Sequence, residues 1–123
     1  MMSHDARLSP VPITVAMQAT VAGVGSVTAT LTGNKLAIDG KFQGLRSPAT
    51  VARLHMAPRA ERGPAIADLK VSSGTSGTLS GSVELSGDQR EALEKNGLYI
   101  QVHSEKAPEG NLWGWLMIQE SKR

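Results

Sequence analysis

A chain of 123 residues, 20% of them charged and with a formal charge of +2, can bury one core without staples and lies far from the polybasic balance of nucleic-acid binders. It contains no cysteine, which excludes disulfides and thiolate chemistry. No apolar run approaches the roughly 20 residues of a membrane-spanning helix, and the start of the chain lacks the apolar heart of a signal peptide.

Residues 1–10 and 120–123 read as polar tails, leaving a single domain over 11–119. From Val11 the pattern alternates strictly, with Val11, Ile13, Val15, Met17, Ala19 and Val21 on one face, which predicts a half-buried strand. Val27, Ala29 and Leu31 alternate with Ser26, Thr28, Thr30 and Thr32, and Gly33-Asn34 is a turn signal. Ser26–Thr32 and Lys35–Phe42 are therefore predicted to pair as a hairpin with Leu36, Ile38, Gly40 and Phe42 pointing in. A strand is expected over Ala49–Met56, with Thr50, Ala52, Leu54 and Met56 opposing Val51, Arg53 and His55. A short one follows over Ala65–Val71. Thr78–Leu85 alternates again, with Leu79, Gly81, Val83 and Leu85 inward.

One stretch breaks the period of two. Ser86 followed three residues later by Gln89 is a capping-box signature, and Gly97 lies past the end, so 86–96 is predicted as a short surface helix anchored by Ala92 and Leu93. Two last strands are expected within Leu98–Ile118. On the first, Leu98, Ile100 and Val102 oppose Tyr99, Gln101 and His103. On the second, Leu112, Gly114, Leu116 and Ile118 oppose Trp113, Trp115 and Met117. About eight strands and one helix at even spacing predict an all-β fold, an antiparallel sandwich or flattened barrel with Greek-key connections.

The motifs Ala29-Thr-Leu-Thr-Gly-Asn34, Gly40-Lys-Phe-Gln-Gly-Leu45, Ser47-Pro-Ala-Thr50, Gly63-Pro64, Ser76-Gly-Thr-Leu-Ser-Gly81, Gly97-Leu-Tyr99, Val102-His103 and Gly114 closely resemble the CHRD domain, first described in chordin. That resemblance runs from about Gly25 to Leu116. It implies a β-sandwich domain of poorly defined biochemistry, mostly in exported or surface proteins. The same segments are more distantly similar to copper/zinc superoxide dismutase. This second resemblance places His55 on the second histidine of a His-x-His strand, Arg53 on the first, and His103 on a late copper-ligand histidine.

Three groups of residues could carry function. His55 and His103 would form a weak copper or zinc site if they converged, although metal binding wants three or four ligands; otherwise both are ordinary surface histidines. Arg46, Arg53, Arg59 and Arg62 fall within seventeen residues and would grip an anion or acidic partner if the 57–64 loop folded over the strand before it; otherwise they are solvated charges. Trp113, Trp115 and Met117 share the face turned from the core, and CHRD relatives usually place polar residues at the two tryptophan positions. An indole buries up to ~250 Å², so two left in water would forgo several kcal/mol at ~25 cal/mol per Å².

Such a stripe predicts a partner surface, most simply that of a symmetric dimer, with a sugar-stacking platform or cover by the N-terminal segment as the other readings. No arrangement of catalytic residues is visible, so no enzyme and no obligate cofactor is expected. The sequence reads as a non-catalytic binding or assembly module that self-associates through its last strand. The alternative is a degenerate copper protein using His55 and His103.

Overall fold

The computed structural model describes residues 2–10, 23–57 and 63–118. Its central hairpin joins β2 (Val24–Thr32) to β3 (Lys35–Gln43) through Gly33, whose left-handed φ of 63° suits a residue without a Cβ. The pairing runs unbroken from Val24↔Gln43 to Thr32↔Lys35. Along β3, Leu36, Ile38 and Phe42 are buried while Lys35, Ala37, Asp39 and Lys41 are exposed, as period-two patterning requires.

The chain continues through β4 (Ala49–Met56), β5 (Ala65–Val71), β6 (Gly77–Glu84), α1 (Gly87–Glu94), β7 (Leu98–Ser104), β8 (Ala107–Trp115) and the two-residue β9 (Met117–Ile118). Neighbouring strands run β2-β3-β6-β5-β4-β7-β8. The first strand, β1 (Met2–Pro10), then closes the ring. It pairs with β2 from Met2↔Leu31 to Leu8↔Gly25, and on its other edge with β8 at Ser9↔Trp113 and β9 at Asp5↔Met117. β9 continues β8 past Leu116, whose amide turns aside to donate to the Leu98 carbonyl at 2.9 Å. The described strands form a closed eight-stranded antiparallel barrel, the second of the two all-β architectures expected from the sequence.

Closure corrects the reading of residues 1–10 as a tail. His4, Ala6 and Leu8 point into the barrel and are buried, while Arg7 and Ser9 stay exposed. The expected strand over 11–22 and the tail over 120–123 lie outside the described residues.

The interior is aliphatic: Val27, Ala29, Leu36, Ile38, Leu54, Leu79, Ile100, Val102, Leu112 and Leu116 all belong to one cluster. A bulge in β4 alters its expected faces. Between Ala49↔Ser104 and Val51↔His103 an extra residue, Thr50, is left exposed, so Ala49 joins Ala52 and Leu54 in the core. α1 carries the predicted capping box, with the Gln89 amide donating to Ser86 Oγ at 3.2 Å and the Ser86 amide donating to Gln89 Oε1 at 2.9 Å. Leu93 is its buried anchor.

Candidate binding surface

Strand pairing sets the outer face of the barrel. His55 on β4 lies opposite Tyr99 on β7, and Tyr99 opposite Trp115 on β8, so three rings from three strands fall in one row. His55 stacks on Tyr99 with centroids 4.7 Å apart and planes at 19°, and Tyr99 stacks on Trp115 at 4.4 Å and 30°. Trp113 stands edge-on to both Tyr99 and Trp115, at 82° and 71°.

The row is tied to the chain that follows β4. Trp115 Nε1 donates to the Ala57 carbonyl at 3.0 Å. The Gly63 amide donates to Tyr99 Oη at 3.0 Å, and the Gly63 carbonyl accepts from His55 Nδ1 at 2.8 Å and from Tyr99 Oη at 3.3 Å. A Cβ at residue 63 would lie 2.1 Å from the Met56 carbonyl oxygen, so only glycine can approach this closely. Ala57, Tyr99 and Trp115 thus form a second small core on the outside of the barrel wall, with Trp113 packed against it.

The predicted parity of the last strand holds: Leu112 and Leu116 face the main core and the indoles face away. What differs is exposure. Trp115 is only 8% exposed, and among the described residues Val24 is the one large apolar side chain that stands exposed. Of the two indoles expected to stand in water, that of Trp115 is covered from within the chain by Ala57 and Tyr99. Trp113 and Met117 remain half-buried.

The two candidate histidines are not brought together. His103 lies opposite Val51, four residues along β4 from His55, which is about 13 Å at ~3.3 Å per residue. Because a carbonyl only accepts, His55 carries its proton on Nδ1, leaving Nε2 buried and without a hydrogen-bond partner. That tautomer suits a metal ligand, yet among the described residues no three His, Cys, Asp or Glu side chains converge. His103 Nε2 lies 3.3 Å from Gln101 Nε2 instead. Among the described residues, His55 and His103 do not converge on the copper centre that the dismutase resemblance implied.

Two arginines of the candidate group, Arg46 and Arg53, are among the described residues. Arg53 Nε donates to Asp68 Oδ1 at 3.0 Å on the neighbouring strand. Arg46 is exposed ahead of β4. Arg59 and Arg62 lie outside the described residues.

A feature the sequence reading missed lies beside the indoles. A groove of about 780 Å³ runs over β1, bounded on one side by β2 and on the other by the end of β8 and β9. Its rows follow the register: Thr28–Asp5–Met117 across three strands, Ser26–Arg7 beside it, and Ser9–Trp113 at the far end. The outward residues of β1 are what a tail assignment conceals, so only the alternation of His4, Ala6 and Leu8 could have signalled it.

A family model for the CHRD domain matches residues 5–116. The chain belongs to the CHRD domain family. That match takes in all but the first few residues of β1, in keeping with a barrel that needs this strand to close. No curated protein and no solved structure matches this CHRD domain. No helix among its described residues is long and apolar enough to cross a membrane.

Proposed function

We infer that this CHRD domain is a non-catalytic binding module whose contact surface is the groove over β1. Family membership supports the module reading. The location rests on one observation: both of the chain's tryptophans line a groove whose opposite wall is made of hydroxyl groups. A volume of about 780 Å³ falls in the range of small-molecule sites, ~300–1,000 Å³. A wall of Trp113, Trp115 and Met117 facing Ser26 and Thr28 supplies apolar contact and directional polar groups together.

Fragment screening of the isotope-labelled chain by chemical-shift perturbation tests the location without presuming a ligand. Hits are expected to move the amides of Asp5, Arg7, Thr28, Trp113 and Met117. Hits that map to another part of the barrel, or no hits at all, would remove this surface from consideration.

A further inference from the structure

We propose that the groove over β1 binds a neutral saccharide, an inference that rests on the contact surface just assigned. The floor carries one acid and one base, Asp5 and Arg7, in adjacent outward positions of β1. Their formal charges cancel, so the groove selects neither a cation nor an anion by net charge. Both side chains, and those of Ser26 and Thr28 opposite them, still require hydrogen-bond partners when covered.

An apolar peptide would satisfy Trp113 and Met117 but strand those four polar groups. A ligand that meets both walls must present a C–H face to the indole side and several hydroxyl groups to the other, within one small neutral body. A pyranose ring has this character. Asp5 accepts from two neighbouring hydroxyls, Arg7 donates to two, and the serine and threonine hydroxyls do either. The aromatic wall is held in place before any ligand arrives. Trp115 is fixed by its bond to Ala57 and its stack on Tyr99, and Trp113 is braced edge-on against both rings. Such rigidity lowers the ordering cost of binding. The groove is lined by residues of β2, β1 and the end of β8 and β9, which suits an oligosaccharide lying across several strands.

Both tryptophans border the groove, so intrinsic fluorescence reports its occupancy directly. The full chain is titrated with cellohexaose, xylohexaose, chitohexaose and maltohexaose to about 10 mM, a limit that still detects the weakest specific affinities. At least one is expected to give a saturable change in emission. Asp5→Asn and Trp113→Ala should each weaken that binding about tenfold or more, while Asp39→Asn, on an outward position of β3 beyond the groove, should leave it unchanged. Asp5→Asn keeps the test decisive if Trp113→Ala does not fold.

No saturable change with any of the four sugars, or binding that survives both groove variants, overturns the proposal. So does a concentration-dependent rise in sedimenting mass that Met117→Ser abolishes, because the occupant is then a second copy of the chain. Fragment hits in the groove with no sugar binding would leave the contact surface standing and remove only the saccharide.

Discussion

Trp115 Nε1 and the carbonyl of Ala57 meet at 3.0 Å across 58 residues of sequence, and this bond pins the chain leaving β4 to the outside of β8. Trp115 is therefore a structural residue first and a groove residue second. Trp115→Phe keeps a ring against Tyr99 but leaves the Ala57 carbonyl without its donor. It should cost about 1–3 kcal/mol in urea unfolding. Trp115→Ala also removes the stack and should cost about 3–5 kcal/mol. If Trp115 served mainly as a subunit contact, the variants would change sedimenting mass and leave the unfolding midpoint of dilute protein untouched.

The alternation that defines β2, β3 and β6 was legible because these strands put aliphatic residues on one face and polar or small ones on the other, and in β7 and β8 the aliphatic face is set against aromatic and polar residues. The capping box of α1 was legible for an equally local reason. β1 was not, because an imidazole sits where an apolar side chain would announce the core, and Ser3, Asp5, Arg7 and Ser9 around it have the composition of a tail. The outer cluster shows a different limit. Parity correctly turned Trp113 and Trp115 from the barrel interior, but cover for Trp115 comes from Ala57, a contact between distant segments that periodicity cannot express. Register likewise separated His55 from His103, since the pairing partner of each residue is a property of two strands together.

The inward imidazole of β1 has a pH consequence. His4 is 2% exposed and its Nδ1 has no hydrogen-bond partner. Burial lowers its pKa from the usual 6.5, and the neighbouring Asp5 carboxylate offsets only part of that shift. The unfolded chain therefore takes up the proton first as pH falls. His4's neutral state supports the fold fully above about pH 6.5, and that support is lost progressively below it. Urea midpoints measured at about pH 7.5 and about pH 5 should show the loss, and His4→Leu should reduce it. An unchanged pH response in His4→Leu would mean that other groups set the acid sensitivity.

The capping box of α1 offers a smaller and cleaner test. Ser86 Oγ accepts from the Gln89 amide, which no other helical carbonyl can satisfy. Ser86→Ala should cost about 1 kcal/mol of global stability. Leu93 ties the helix to the main core, so the loss should appear in cooperative unfolding and not only as local fraying. Hydrogen exchange confined to residues of α1, with an unaltered urea midpoint, would show instead that the helix opens independently of the barrel.

Gly114 and Gly87 make opposite predictions for one and the same added methyl group. A Cβ at Gly114 would lie 2.2 Å from the carbonyl oxygen of Arg7 and 2.9 Å from its carbonyl carbon. Those are backbone atoms of β1, so no rotamer change relieves the contact, and the strands must part at the seam that closes the barrel. Among the described residues β8 meets β1 at Ser9 and Pro10, and β9 meets it at His4 and Asp5. Gly114→Ala should cost about 3 kcal/mol, the upper end of overpacking effects. It should also speed amide exchange along β1 more than along β3. A Cβ at Gly87, in the first turn of α1, meets nothing within 4 Å. Gly87→Ala should therefore stabilise by about 0.5 kcal/mol through the lost freedom of the unfolded chain. Should the two variants unfold at the same urea concentration, the close approach of β8 to β1 would be wrong, and with it the closure of the barrel.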